Sequence, residues 1–344
     1  MPLELGLDTF GDVTIDGEGG LLPHARVLRD VVEEGVLADE LGLDFFGVGE
    51  HHRADFAISA PEVVLAAIAG RTSRIHLGSA VTVLSSDDPV RVFERFSTLH
   101  AVSGGRAEVI LGRGSFIESF PLFGFELEDY EVLFEEKLDL FAALLEGGPV
   151  TWSGRTRAAL TDKRVFPPVE AGPLRTWVGV GGSPESVVRA ARYGLPLVLA
   201  IIGGEPLRFT PLVDLYARAL EQLGKPPQPV AAHCPGYVAA TDGRARDEFF
   251  PHYAAMHDRI GRERGWPPLT RPQFEYGAGP EGALFVGSPA TVAAKIARTA
   301  GGLGLARFDL KYSAGPLPHE QLLTCIELYG REVAPMVREQ LAAA

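Results

Sequence analysis

Four consecutive polar residues, Glu50, His51, His52 and Arg53, follow a short run of aromatic and β-branched residues that begins at Leu43. The run is typical of a buried strand, so the polar residues stand at its carboxyl end. Parallel α/β proteins usually place their chemistry at this end of a strand. An imidazole can exchange protons near neutral pH. The segment is therefore a candidate for proton transfer, although two adjacent histidines can also simply end a strand in solvent.

Three further segments suited to binding a ligand stand in the last part of a predicted strand or directly after one. They are Ser79-Ala80-Val81, Gly112-Arg113-Gly114-Ser115 and Gly181-Gly182-Ser183. Glycines allow the backbone to approach a ligand closely, and the arginine fork binds phosphate well. Gly-Gly-Ser at a helix start offers free backbone N–H groups and a hydroxyl to an anion. Together they predict a ligand with one phosphate and a flat body, although Arg113 could instead form a rim ion pair and Gly-Gly-Ser is a common helix cap.

The elements that carry these segments alternate between short hydrophobic runs and amphipathic helices. Eight strand–helix alternations are predicted, from a first strand at Leu3–Leu7 to a last strand at Ala306–Lys311 and a helix from His319 to about Arg338. No break in composition marks a linker. The pattern favours one domain over residues 1–344, an α/β protein folded as a (β/α)8 TIM-like barrel. An open doubly wound sheet is the alternative, and counting elements separates the two poorly.

Two Gly- and Pro-rich segments interrupt this alternation. Gly147–Pro173 follows the fourth helix and is predicted to be an insertion of hairpin and loop. Gly265–Gly282 is predicted to be a second insertion, before the last βα unit. Both are candidate lids over a site at the rim.

Composition and charge exclude several classes of function. The net charge of −13 over 344 residues argues against nucleic-acid binding, which needs concentrated Lys and Arg. The apolar stretch Leu195–Ile202 is too short to span a bilayer, and the amino terminus shows no secretory pattern. Cys234 and Cys325 alone do not form a disulfide framework. We expect a cytoplasmic protein without a membrane or nucleic-acid partner.

Motifs for other kinds of chemistry are missing from the sequence. It has no His-Glu-x-x-His, no Gly-x-Gly-x-x-Gly after a strand and no Gly-x-Ser-x-Gly. We therefore predict no metal, no Rossmann dinucleotide site and no hydrolase elbow. A metal site built from distant residues such as Asp8 or His233 stays open.

Five segments, in this order and at close spacing, carry a resemblance to a known family. They are Gly49–Arg53, Leu77–Val81, Asp88–Val92, Ser103–Arg106 and Gly112–Ser115. The set resembles the bacterial luciferase-like, flavin-dependent monooxygenase and oxidoreductase family, and the resemblance extends from Leu3 to about Val337. It implies a TIM-like barrel, usually dimeric, that binds a reduced flavin at the carboxyl rim.

The resemblance also implies roles for single residues. His51 matches the active-site histidine that acts as base or proton donor, and Glu50 and His52 are expected to orient it or its loop. Ala80-Val81 matches a non-proline cis peptide beneath the flavin ring, and Gly112 matches a position near the reactive edge of the flavin. Arg113, Ser183 and Ser186 match phosphate-binding positions. The other residues predicted to contact the cofactor are Ser79, Gly114, Ser115, Gly181 and Gly182. The sequence departs from the family at Asp87-Asp88, where many members have a histidine pair.

The function implied is that of an FMN-dependent oxidoreductase, most simply a monooxygenase that uses reduced FMN and O2 on a small organic substrate. NAD(P)H would reduce the flavin directly or through a partner flavin reductase, and the chain is expected to form a homodimer. Three alternatives stay open: a deazaflavin-dependent dehydrogenase of the same fold, a non-catalytic flavin-binding protein and a metal-dependent barrel hydrolase.

Overall fold

The computed structural model describes residues 2–114 and 116–343. Within them the strands are β1 (Glu4–Thr9), β2 (Phe45–Val48), β3 (His76–Ser79), β4 (Thr82–Val83), β5 (Ala107–Gly112), β6 (Val150–Trp152), β7 (Leu160–Lys163), β8 (Arg175–Val180), β9 (Leu197–Ala200), β10 (Val230–Val238), β11 (Phe285–Gly287) and β12 (Arg307–Lys311). The helices are α1 (His24–Glu40), α2 (Pro61–Ala69), α3 (Pro89–Val102), α4 (Ser119–Phe123), α5 (Tyr130–Leu145), α6 (Pro184–Tyr193), α7 (Thr210–Gln222), α8 (Asp242–Arg264), α9 (Arg271–Ala278), α10 (Pro289–Leu303), α11 (His319–Leu328) and α12 (Ala334–Ala343).

Eight parallel strands close into a barrel. Each of β1, β2, β3, β5, β8, β9, β10 and β12 pairs with the next in this order. The last of them, β12, also pairs with β1 and closes the ring. The predicted (β/α)8 barrel is therefore confirmed, because an open doubly wound sheet would leave β1 and β12 as separate edges.

Side chains pack on both faces of the barrel strands. Inside the ring, Phe45, Ile110, Trp177, Val198 and Ala231 form a small buried core. A much larger apolar core lies between the strands and the helices outside them. Burial on both faces explains why these strands appear in the sequence as short, nearly continuous hydrophobic runs.

The interior of the barrel also holds buried charges. Arg307 is fully buried, with its guanidinium 3.9 Å from the ring centre of Phe45 and 4.4 Å from that of Trp177. Its Nη1 donates to Glu108 Oε2 over 2.7 Å, and the Trp177 indole donates to the same oxygen over 2.8 Å. These groups fill the base of the barrel beneath the rim.

Two stretches are more complex than their sequence indicates. The hydrophobic run Ile75–Leu84 is typical of one strand, but the strand ends at Ser79 and resumes at Thr82, and the Ala80–Val81 peptide bond between them has the cis geometry that the family resemblance implies. The second insertion, recognised by its Gly and Pro content, contains the helix α9. The side chain of Thr270 accepts the Gln273 N–H and the Gln273 side chain accepts the Thr270 N–H, a capping box that starts this helix.

The first insertion contains the expected hairpin, β6 paired antiparallel with β7. No helix in the described part of the chain is both long and apolar enough to cross a membrane.

Candidate functional site

A cavity of about 720 Å³ opens at the carboxyl ends of the barrel strands. This volume is in the range of ligand and cofactor sites, roughly 300–1,000 Å³. Its lining comes from many strand ends because parallel strands in a barrel all point their carboxyl ends to one rim. The predicted site residues that line it are His51, Ala80, Val81, Gly112, Arg113, Gly114, Gly181 and Ser186.

The other predicted residues have different positions. Ser79 is fully buried, and its Oγ donates to the Ile110 carbonyl and accepts the Ile110 N–H, both over 3.2 Å. Its side chain thus holds β3 to β5 and does not line the cavity, contrary to the sequence-based expectation of a cofactor contact. Gly182 also lies outside the lining. Ser115 lies outside the described residues.

Ser183 acts through Ser186. Its Oγ caps α6 by accepting the Ser186 N–H over 3.2 Å, and it donates to Ser186 Oγ over 2.8 Å. Ser186 is buried and lines the cavity, whereas Ser183 does not. Of the two serines predicted to contact a phosphate, Ser186 thus lines the cavity, and Ser183 lies behind it as its hydrogen-bond partner.

Glu50 joins the loop after β2 to β4. Its Oε1 accepts from His52 Nε2 over 2.9 Å, and its Oε2 accepts the Val83 N–H over 2.8 Å. Both carboxylate oxygens are engaged, so Glu50 and His52 orient the loop around His51, as the sequence led us to expect.

His51 lies in an aromatic environment at the cavity wall. Its ring centre is 4.6 Å from that of Phe10, 4.5 Å from Phe56 and 5.1 Å from Phe116. No side chain or backbone group in the described ranges hydrogen-bonds its ring nitrogens. Burial lowers the pKa of His51 to about 3. The imidazole is therefore neutral at physiological pH, which corrects the expectation that it titrates near neutrality.

The cavity floor is apolar. Ala80 and Val81 pack against the small core inside the barrel, beside Ile110 and Val198. A flat, uncharged ring system is the kind of group that such a floor can hold against water.

Arg113 lies at one end of the cavity, stacked over the Tyr130 ring at 5.1 Å. It forms an ion pair with Glu131. The other oxygen of Glu131 accepts from Arg189 Nη2 over 3.0 Å. One carboxylate thus balances two guanidinium groups, and the rim ion pair left open by the sequence is present. Sequence reasoning missed Tyr130 and Arg189, which lie on helices behind the rim where no local motif marks them.

The opposite, deep end of the cavity holds polar side chains from β1, β10 and β12. They are Asp8, His233, Asp309 and Lys311. Asp8 Oδ2 lies 2.7 Å from His233 Nδ1. Asp309 accepts from Arg307 Nε over 3.0 Å, and burial raises the pKa of Asp309 to about 7.

The sequence indicated Asp8 and His233 only as ligands of an open metal site. No cluster of three or more metal-ligating side chains is found in residues 2–114 and 116–343. A signal was available for Asp8 and Lys311, because they stand at the carboxyl ends of the first and last predicted strands.

The wall facing the floor is largely apolar and comes from α8 and the second insertion. Its lining residues are Tyr253, Met256, Ile260, Trp266, Leu269, Phe274 and Tyr276. The first insertion contributes no lining residue among those described. Its hairpin packs on α5 instead, where the Trp152 indole donates to Asp139 over 2.9 Å. Of the two candidate lids, only the second insertion borders the cavity.

The chain is similar in sequence to known monooxygenases over much of its length. A family model described as "Luciferase-like monooxygenase" matches residues 9–306. The alkanal monooxygenase alpha chain of the Kryptophanaron alfredi symbiont is 26% identical over 257 residues, 71% of this chain and 70% of that protein. The N-acetyl-S-alkylcysteine monooxygenase of Bacillus subtilis strain 168 is 34% identical over 202 residues, 56% and 57% of the two chains. Across such relatives, this chain spans from 48% to 70% of their length.

Solved structures share the fold. The oxygenating constituent of 3,6-diketocamphane monooxygenase from Pseudomonas putida, in complex with FMN, superposes with a TM-score of 0.75 at 19% identity, covering 97% of this chain and 99% of that one. An F420-dependent secondary alcohol dehydrogenase in complex with an F420–acetone adduct gives a TM-score of 0.77 at 15% identity, covering 98% and 99%. At these identities the likeness concerns the barrel alone.

Proposed function

The chain belongs to the luciferase-like monooxygenase family, and from that premise we propose that it is an FMN-dependent monooxygenase acting on a small organic substrate. The observation that carries the proposal is the division of the 720 Å³ cavity at the rim into a polar end and an apolar body. The cavity has an arginine and a serine at one end and an apolar floor and wall along its length. A phosphate and a flat ring system on one molecule match that division.

The residues present fit FMN by the chemistry of their donors. Arg113 and Ser186, with the backbone at Gly181, would hold the phosphate, because guanidinium, hydroxyl and free N–H groups all donate to phosphate oxygens. Val81 and Gly112 would face the ring, since both line the apolar part of the cavity. Bound reduced FMN supplies the two electrons that O2 needs, so that one oxygen atom enters the substrate and the other leaves as water.

The protein supplies orientation and exclusion of water. Phe10, Phe56 and Phe116 surround His51 and keep that side of the cavity apolar. His51 acts here as a neutral imidazole, which can donate one hydrogen bond and accept another. The apolar wall from α8 and the second insertion would bind the body of the organic substrate by burial of its surface.

The setting of the reaction is part of the same proposal. Reduced FMN would come from NAD(P)H, either oxidised at this site or by a separate flavin reductase. The chain would act as a homodimer in the cytoplasm. Sedimentation of the purified protein tests the dimer, and NADH or NADPH oxidation with and without an added reductase tests the source of electrons.

The first experiment is a titration of the purified protein with FMN and, separately, with the deazaflavin F420. Tight binding of FMN is expected. Binding of F420 without FMN would replace the proposal with a deazaflavin-dependent dehydrogenase.

The second experiment mixes the protein with photoreduced FMN, 18O2 and a panel of aldehydes, ketones and thioethers. Mass spectrometry should find one 18O atom in a product. If the protein binds FMN but oxygenates no compound in such panels, it is a non-catalytic flavin-binding protein.

A further inference from the structure

A buried carboxylate orients a second histidine in the cavity. Asp8 is the last residue but one of β1 and is 1% exposed, and its Oδ2 lies 2.7 Å from Nδ1 of His233 on β10. Strand β12 lies between β1 and β10 in the barrel, so the two side chains meet across it at the rim. A carboxylate oxygen accepts hydrogen bonds, and this contact therefore assigns the hydrogen to Nδ1.

The other ring nitrogen of His233 is the one available to a ligand. No group in the described ranges hydrogen-bonds Nε2, and the imidazole is 12% exposed and lines the cavity. With the hydrogen on Nδ1, the Nε2 atom is the ring position where a proton can be gained or lost. A carboxylate that fixes the tautomer of an imidazole in this way also stabilises the ring when it takes up a proton.

His51 also lines the cavity, but its surroundings differ. Phe10 lies between the two histidines, 4.6 Å from His51 and 6.0 Å from His233, with the rings of Phe10 and His233 only 11° from parallel. On one side of Phe10 the imidazole is surrounded by aromatic rings, without a carboxylate partner in the described ranges. On the other side of Phe10, the imidazole of His233 is hydrogen-bonded to Asp8. These two histidines in the cavity therefore differ in chemistry, because within the described residues only His233 of the two is hydrogen-bonded to a carboxylate.

We propose that His233 Nε2 exchanges a proton with the substrate during turnover, with Asp8 as its positioning residue. The reaction that it serves rests on the proposed function. Nε2 takes a proton from a hydroxyl, amine or carbon acid of the substrate and returns one to the oxygen atom that leaves as water. The ring thus ends each turnover as it began, and the hydrogen on Nδ1 stays there throughout, donated to Asp8. Overall, substrate, O2 and reduced FMN give oxygenated substrate, water and oxidised FMN.

The first test needs no flavin. In protein labelled with 15N-histidine, the wild-type His233 signals should show a protonated Nδ1 and an unprotonated Nε2, with His233→Gln assigning them by their loss. Asp8→Asn, which keeps the shape of the side chain, should move His233 toward the other tautomer. The exposed Asp214→Asn is the matched control and should leave the spectrum unchanged. A wild-type Nε2–H tautomer, or identical spectra for wild type and Asp8→Asn, would overturn the assignment to Asp8.

The second test measures turnover and FMN affinity of His233→Gln together. Turnover at saturating FMN should fall by about 10²-fold or more, the usual contribution of a general acid or base, while FMN affinity is retained. The exposed His24→Gln should match wild type in both. Retained FMN affinity also shows that His233→Gln is folded.

The two tests separate this inference from the proposed function. If wild type turns over and His233→Gln keeps its rate, the proton-transfer role fails and the proposed function stands. If wild type binds no FMN, the proposed function fails, and the tautomer measurement still decides the role of Asp8.

Discussion

Val81 fills the space directly in front of Gly112. A Cβ atom added to Gly112 would lie 2.5 Å from Val81 Cγ2, closer than real Cβ atoms approach another side chain. The glycine therefore sets how near β5 comes to the cavity floor. This steric role stands beside the position near the flavin edge that the family resemblance implies.

Gly112→Ala should destabilise the protein because Val81 must move within a packed floor. Overpacking of this kind costs about 1–3 kcal/mol, measured as the loss of unfolding free energy in urea. FMN affinity should fall with it. Gly301→Ala, inside α10 with no atom near the added methyl group, is the control and should be neutral or slightly stabilising. A Gly112→Ala protein as stable as wild type would show that the floor is adaptable.

Arg113→Met should weaken binding of FMN but not of riboflavin, which has no phosphate. Charge-assisted hydrogen bonds contribute roughly 1.5–3 kcal/mol, so FMN affinity should fall by about 10- to 100-fold. Equal losses for both ligands would mean that Arg113 supports the fold of the site and not the phosphate. Arg71→Met, which removes an exposed guanidinium paired with Glu33, is the control.

Glu131→Gln should have the opposite effect. The variant releases Arg113 and Arg189 from a shared carboxylate and removes a negative charge beside the proposed phosphate site. FMN affinity should rise and riboflavin affinity should not change. The exposed Glu128→Gln controls for net charge, and a fall in FMN affinity for Glu131→Gln would show that the ion pair positions Arg113 productively.

His51 should make the protein sensitive to acid. Its pKa is about 3 in the folded chain and about 6.5 when unfolded, so below pH 6.5 the unfolded state binds a proton that the folded state does not. The stability present above pH 6.5 is therefore lost as pH falls toward 3, by at most about 1.4 kcal/mol per pH unit. His51→Gln lacks this loss, and its stability relative to wild type should rise between pH 7 and pH 5. Parallel stability curves for the two proteins would contradict the lowered pKa.

Removing one member of the buried Arg307–Glu108 pair should be severe. Both side chains are fully buried, and breaking such a pair leaves an uncompensated charge that costs about 3–5 kcal/mol. Arg307→Met should show this loss in urea unfolding, and Arg307→Met/Glu108→Gln should lose less than the sum of the single changes. The exposed Arg71–Glu33 pair should contribute far less by the same cycle, because solvent screens it. An additive double variant would mean that the two groups are energetically independent.

The sequence by itself determined the barrel and the end of it that carries the site. Hydrophobic periodicity and helix caps are local, so the alternation of strands and helices could be read along the chain. Parallel strands in a barrel share one rim, and that placed His51, Ala80-Val81, Gly112-Arg113 and the Gly181 turn together. Shorter irregular elements were harder, as α9 shows, because a capping box within a Gly- and Pro-rich segment is a weak signal.

Only the tertiary structure decided which polar groups meet and in which protonation state. Asp8 and His233 are 225 residues apart, and no local pattern pairs them. Arg113 pairs with Glu131 because α5 begins near the rim. The Ser79 hydroxyl is hydrogen-bonded to β5 because β3 lies beside β5 in the barrel. The neutral state of His51 follows from three phenylalanines that come from different loops. Desolvation and pairing depend on neighbours in space, and the chain brings those neighbours together only when the barrel closes.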